Sequence, residues 1–395
     1  MHHDHPRTIL YVHADAGLYG SGVSLLELAS RLPPDRYRAV VALPQEGPLG
    51  EALRERGVEV LVLPLGALRR TFRPDHVAAI AWQNYSAPRR LARLVRERSI
   101  CAIHSNNSHV LTGAFAARRA GVPHIIHVRE NLLPPRAVSV RISRLLFELS
   151  ERVIVVSRGA AAEFLGANAS HPKVQIVYNG VDLCAFSSEA APAAARAVLG
   201  WPEENPHVGV IARLTPWKGH EVFLRAAARV ADVCPSARFV IVGDVDTPRN
   251  RSYKQRLLHL CARLGIAERV RWTGLADRVQ GIIAALDLAV VPSVRPEPFG
   301  RSLIEAMAME RPVIATNHGG PPEILSGGGG LLVQPGDPEA LAAAMIELIE
   351  NEDLRLAMAA TAKREATRRF DIDSHVGAVV RIYDEMLDSS PGSGA

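Results

Sequence analysis

The chain has 395 residues, too many for one hydrophobic core and natural for two. Its 48% hydrophobic and 22% charged content is that of a soluble globular protein, no apolar run approaches the ~20 residues that span a bilayer, and Cys101, Cys184, Cys234 and Cys261 form neither a CxxC nor a metal-ligand spacing. The net charge of +5 is uneven: residues 1–182 hold 23 Lys/Arg against 15 Asp/Glu, and residues 183–395 hold 23 against 26, so the first half invites an anionic partner (lipid, phosphorylated acceptor or nucleic acid), although charge kept only for solubility reads the same way.

From the N-terminus, Met1-His2-His3-Asp4-His5 lacks the apolar stretch of a signal peptide, which implies a cytoplasmic protein, and leads into a strand over Thr8–His13. The turn Ala16-Gly17-Leu18-Tyr19-Gly20-Ser21-Gly22 then precedes a helix over Val23–Leu32. Its G-x-x-G-x-G order inverts the dinucleotide fingerprint and argues against NAD, while glycines ahead of a helix leave N–H groups to hold an anion or make a tight turn. Further strands are expected at Arg38–Leu43, Val58–Leu63, Ile100–His104, His124–Val128 and Val153–Val156, with Ala/Leu/Arg segments of helical period between them. One of these, residues 87–98, groups Leu91, Leu94, Val95 and Arg98 near one side with Arg89, Arg93 and Arg96 flanking; Arg69, Arg70, Arg73, Arg118 and Arg119 add charge nearby. Such a helix either lies on an anionic membrane or packs its apolar side on the core.

The rhythm breaks at Asp182–Pro206, where Ala191-Pro192-Ala193-Ala194-Ala195 and Trp201-Pro202-Glu203-Glu204-Asn205-Pro206 suggest a join. The expected division is an N-terminal domain over 1–182, a linker over 183–206, a second domain over 207–370, and a C-terminal helix within 371–395 that returns to the first domain before a flexible tail. Strands in the second half are expected at Val208–Ala212, Arg238–Val242, Val270–Thr273, Leu288–Val291, Pro312–Ala315 and Leu331–Val333. Continuous apolar strands alternating with helices mean α/β: two Rossmann-like domains of parallel strands, facing across a cleft where ligands of such sheets bind.

Three motifs in the second half carry chemistry. Arg213 and Lys218 follow the strand Val208–Ala212 and match two anions such as a diphosphate, unless they are merely solvated. In Pro296-Glu297-Pro298-Phe299-Gly300-Arg301-Ser302-Leu303-Ile304-Glu305, a Pro/Gly loop runs into a helix whose first N–H groups suit phosphate, with Glu297 and Glu305 placed to accept from sugar hydroxyls. Ser302-x-x-Glu305 fits a capping box equally well. Asp244-x-Asp246 imitates a metal-binding DxD, but oxygen ligands alone seldom define a site.

Glu297 and Glu305, with seven residues between them, closely resemble the E-x7-E signature of family 4 glycosyltransferases, retaining enzymes of GT-B architecture. Ala212-Arg213-Leu214 with Lys218-Gly219, Asn179-Gly180-Val181-Asp182, Val242-Gly243-Asp244, Trp272-Thr273-Gly274 and Pro312–Glu323 are similar to that family in order and spacing. The resemblance implies a nucleotide diphosphate sugar as donor, with Arg213 and Lys218 on the diphosphate, Glu305 on the ribose and Glu297 on the transferred sugar. It further implies that Phe299, Gly300, Ser302 and Leu303 complete these contacts, that Gly20 and Gly22 close the other side of the diphosphate, and that His127 lies beside the reacting sugar. No metal or other cofactor is implied. The acceptor is left open, a lipid-linked or cell-surface glycan precursor at the inner face of the membrane being one expectation. A sugar-nucleotide epimerase, a glycoside hydrolase using Glu297 and Glu305, and a basic nucleic-acid-binding module are the rival readings; the last lacks a reading motif, and with 5% aromatics it has few stacking platforms, so no nucleic acid is expected.

Overall fold

A computed structural model describes residues 5–65, 74–132, 135–187, 196–197, 199–200, 202, 204–245, 250–276 and 278–388, with only the backbone over 74–84. It divides into two compact units, the first comprising residues 1–180 and 372–395 and the second residues 181–371.

In the first unit seven strands pair in the order β3-β2-β1-β4-β5-β6-β7: β1 (Arg7–Val12), β2 (Tyr37–Leu43), β3 (Glu59–Val62), β4 (Ile100–Ser105), β5 (His124–Val128), β6 (Arg152–Val155) and β7 (Val174–Ile176). Every pair is parallel. Successive side chains point to opposite faces, so each strand serves two cores. Ile9 and Tyr11 of β1 and Val41 of β2 pack with the helices Gly20–Ser30 and Ile372–Asp388, while Leu10, Val12, Val40 and Ala42 pack with the helix Pro74–Glu97 on the other side. That double burial is why these strands read as unbroken apolar runs.

The second unit holds β8 (His207–Ile211), β9 (Arg238–Val242), β10 (Val270–Gly274), β11 (Leu288–Val291), β12 (Val313–Thr316) and β13 (Gly330–Val333), in the order β10-β9-β8-β11-β12-β13 and again parallel throughout. Its core joins Val208, Val210, Phe239, Ile241 and Ile314 to Phe223 and Leu224 of the helix His220–Val233 and to Leu341, Met345 and Leu348 of the helix Pro338–Glu350.

Four local readings change. The strand β7 was not anticipated: three half-buried residues, Val-Gln-Ile, carry too short a period to register. The helix expected at Val23 begins at Gly20, so Gly20 and Gly22 form its first turn rather than a loop ahead of it. A Cβ on Gly22 would stand 2.3 Å from the carbonyl oxygen of Gly17, which is why the turn can fold so tightly onto the helix. The chain passes between units at Gly180/Val181 and again at Asp371/Ile372, not within 183–206. Of that stretch, the described Arg196 donates to the Ala285 carbonyl at 3.1 Å and to Asp287 at 2.6 Å, Arg271 donates to the Leu199 carbonyl at 2.9 Å, and Leu199 is buried, which ties it to the second unit; residues 188–195 lie outside the described residues. Finally, Leu91 and Val95 are buried in the core of the first unit with Leu94 packed against it, so the apolar side of the basic helix is occupied. Arg89 stacks on Tyr85 at 3.5 Å, Arg96 donates to the Arg119 carbonyl and Arg98 pairs with Glu59; Arg69, Arg70 and Arg73 lie outside the described residues. Among the described residues no helix is long and apolar enough to cross a membrane.

Candidate functional site

In the second unit three loops leave the carboxyl ends of the adjacent strands β8, β11 and β12 and lock onto one another. The loop after β8 passes Arg213 and makes a 3₁₀ turn over Pro216–Lys218; the amide of Val294, after β11, donates to the Trp217 carbonyl at 2.8 Å. Lys218 Nζ donates to Glu297 Oε2 at 2.6 Å and rests over the Trp217 ring at 4.2 Å, and Ser293 Oγ donates to the same carboxylate oxygen at 2.8 Å. The loop after β12 closes the cluster: Gly320 N–H donates to the Glu297 carbonyl at 2.8 Å, and Thr316 Oγ1 and His318 Nε2 both lie 2.9 Å from the Ser293 carbonyl. At Gly319, with φ +73, a Cβ would fall 2.2 Å from that Glu297 oxygen, so only glycine allows the approach.

Glu297 is therefore held by side chain and backbone alike, at 6% exposure. A buried carboxylate needs a partner, and Lys218 supplies it across 79 residues of sequence. An ammonium has three N–H donors, so the bond to Glu297 leaves Lys218 with further capacity for an anion.

The capping-box alternative for Glu305 fails. The helix Arg301–Ala308 is capped by Gly300, not Ser302, and no side chain caps it; Glu305 lies in the second turn and accepts from Arg301 Nη2 at 3.0 Å, a side-chain pair one turn apart. Phe299 is buried edge-to-face on Phe370 with centroids 5.9 Å apart, and Leu303 is fully buried with its amide bonded to the Gly300 carbonyl, so both side chains shape the loop. Ser302 stands half-buried in the uncapped first turn. Of the DxD look-alike, Asp244 accepts from Lys254 Nζ with both oxygens, at 2.9 and 3.0 Å, and that partner holds it below the usual carboxylate range; Asp246 lies outside the described residues. Among the described residues no cluster of three or more His, Cys, Asp or Glu is arranged to hold a metal.

In the first unit the loops after β1, β4, β5 and β7 likewise converge. His127, buried on β5, is joined by residues that sequence reasoning left without a role: Arg129, which is 8% exposed, and His13, His104, Asn106 and Asn179. Arg129 donates from Nε to Asn106 Oδ1 at 2.9 Å, from Nη1 to Asn179 Oδ1, and from Nη2 to His127 Nδ1 at 3.1 Å. Asn106 Nδ2 donates to the Ser21 carbonyl at 3.0 Å, tying this network to the turn that carries Gly20 and Gly22, whose helix N-terminus has no side-chain cap. The arginine was visible in sequence immediately after the His127 strand; its burial was not, because an arginine is ordinarily a surface residue.

Comparison with known proteins agrees with this division. The family model for glycosyl transferases group 1 matches residues 193–365, and that for a glycosyl transferase 4-like domain matches residues 19–180. A D-inositol 3-phosphate glycosyltransferase of Streptomyces scabiei is 30% identical over 403 residues, covering 93% of this chain and 86% of that protein. One from Corynebacterium jeikeium is 34% identical over 229 residues, spanning 56% of this chain and only 54% of the relative. The crystal structure of Anabaena Alr3699/HepE in complex with UDP and glucose superposes with a TM-score of 0.81 at 27% identity, covering 95% of this chain and 99% of that one.

Burial sets the acid response of the first unit. His13, His104 and His127 are held below the ordinary histidine pKa by desolvation, and His124, bonded between Ser105 and Ser150, is brought down to about 3. The unfolded chain takes up these protons near pH 6.5 and the native chain does not, so stability rises with pH up to that value and is lost as pH falls below it. Each histidine should contribute a slope of about 1.4 kcal/mol per pH unit. Calorimetric scans from pH 7.5 to 5 should show the melting temperature falling steeply; an equal or higher melting temperature at pH 5 would contradict the neutral burial.

Proposed function

The chain belongs to the group 1 glycosyl transferases, of GT-B fold, and from that membership we propose that it moves a hexose from a nucleoside diphosphate carrier to an anionic polyol or glycan acceptor, retaining the anomeric configuration and requiring no metal. The observation that carries this is the three-loop cluster of the second unit, in which Lys218 is anchored on the buried Glu297, a few residues ahead of the uncapped helix that bears Glu305. UDP is the first donor to test, since it is what the HepE structure contains and that protein is similar over nearly the whole chain. The basic excess of residues 1–182 supports an anionic acceptor, as does the inositol 3-phosphate in the names of the relatives. A lipid-linked acceptor at the membrane face rests on that charge alone, because the apolar stripe of the basic helix is already buried.

In this reading Arg213 and Lys218 neutralise charge as the diphosphate leaves, Glu305 holds the ribose, and Glu297 positions both Lys218 and the hexose. His127 contacts the hexose, as the family resemblance implies. No protein nucleophile is needed: the departing phosphate takes the acceptor's proton on the face from which the acceptor attacks. A hydrolase would need one protonated and one ionised carboxyl across the bond. Glu297 and Glu305 are instead each ion-paired with a cation, the arrangement of positioning groups.

Arg213→Ala and Lys218→Met should each raise the transfer barrier by about 2–4 kcal/mol, read as loss of kcat/KM. Lys218→Met also strands Glu297, so the double variant with Glu297→Gln should recover melting temperature but not activity. Near-normal kcat/KM in both single variants would remove the diphosphate assignment.

Activity should persist undiminished in excess EDTA. Complete loss, restored by magnesium or manganese, would overturn the metal-free mechanism.

A further inference from the structure

The ordering of the polar groups around His127 starts from Arg129, a side chain that donates and never accepts. Its Nη2 points at His127 Nδ1 from 3.1 Å, so Nδ1 must present its lone pair. His104 Nε2 stands 3.3 Å from the same nitrogen and donates to it when Tyr383 holds His104 Nδ1 as an acceptor. Tyr383 Oη, 2.6 Å from that Nδ1, fills the role of donor, and Tyr11 Oη, 2.8 Å from Tyr383 Oη, donates in turn. The chain thus runs Tyr11 to Tyr383 to His104 to His127, with every hydrogen pointing forward.

All four side chains are fully buried. The single ring proton of His127 is left on Nε2, a buried atom with no hydrogen-bond partner among the described residues. A cationic His127 would turn an N–H toward the Arg129 guanidinium, and burial with that positive neighbour holds its pKa well below the usual value. The same logic reaches His13, whose Nδ1 faces the amide nitrogens of Asn106 at 3.2 Å and Asn107 at 3.3 Å, so it too carries its proton on Nε2.

We propose that Arg129 is a positioning residue that fixes His127 as the neutral Nε2–H tautomer, with Tyr383 ordering His104 behind it, so that His127 recognises a lone-pair oxygen of the bound hexose by donation and takes no part as a base. The proposal rests on the placement of His127 beside the hexose. It gives the helix Ile372–Asp388 a task beyond packing: Tyr383 lies on it and orders His104 from the far end of the chain. It also divides the labour between the two tyrosine-side and arginine-side partners. Arg129 alone dictates the His127 tautomer; Tyr383 dictates that of His104.

The test is 15N-labelled histidine NMR of the full chain at pH 7, assigned by His127→Gln and His104→Gln, with donor kinetics on the same variants. Wild-type His127 should be neutral and protonated at Nε2 alone. Tyr383→Phe, which keeps the ring packing, should let His104 average between tautomers while His127 stays fixed. In Arg129→Met, His127 should average as well, kcat should drop by up to about 10²-fold, and donor KM should move little. His127 cationic, protonated at Nδ1 or averaging in the wild type overturns the proposal, and this needs no variant to fold. An unchanged His127 tautomer in soluble Arg129→Met overturns the role of Arg129. If the tautomer is locked as described yet His127→Gln transfers sugar normally, the lock stands and the placement of His127 at the hexose is what falls.

Discussion

Parallel strands cannot be joined by tight hairpins, and that constraint places every functional loop of this protein. Each strand must be left at its carboxyl end and the next re-entered from the opposite edge after a crossover. Both units have a strand order that runs outward in two directions from a central pair, β1 with β4 and β8 with β11, so the loops leaving those strands part company and open a crevice at the sheet edge. His13, Asn106 and Arg129 follow β1, β4 and β5; Lys218, Glu297 and Gly319 follow β8, β11 and β12. The three loop positions correspond one to one between units, although the chemistry they carry differs.

That difference lies in how each unit buries its polar groups. The second unit uses opposite charges: Glu297 and Lys218 compensate each other, and removing either strands the other. The first unit uses direction. Arg129 sends three donors into two asparagine oxygens and a histidine nitrogen, and neutral groups behind it adopt the one ordering that satisfies it. The former leaves an anchored ammonium with N–H donors to spare; the latter decides which buried nitrogens donate and which accept. Cys101 and Cys261, with thiols raised to about 11 by burial, belong to neither arrangement and act as small apolar side chains.

The sheets were legible because double burial makes each strand an apolar run that stands out against Arg-rich helices. Residues 174–176 escaped since an edge strand of three half-buried residues has no room for a period. Glu297 and Glu305 were legible as a spacing, but their pairing was not: Lys218–Glu297 is a contact between loops of different strands, and Ser302-x-x-Glu305 imitated a capping box where Gly300 holds the N-cap position. Arg129 and Asn179 stood within segments noticed for other reasons, yet nothing in a linear sequence marks an arginine as buried. The domain join was misplaced for a related reason, because Pro/Ala-rich composition suggests a linker whether or not Arg196 beside it is bonded to Asp287.

The central claim, that the second unit grips a nucleoside diphosphate through its three-loop cluster and Glu305, is tested most directly by calorimetric titration of UDP, GDP, ADP and dTDP into the wild type and Glu305→Gln, with melting temperatures recorded beside them. One diphosphate should bind the wild type with clear preference, and Glu305→Gln should bind it more weakly while melting at nearly the same temperature, since no backbone cap is lost. Binding of none of the four, or equal affinity in Glu305→Gln accompanied by a lowered melting temperature, would contradict the account.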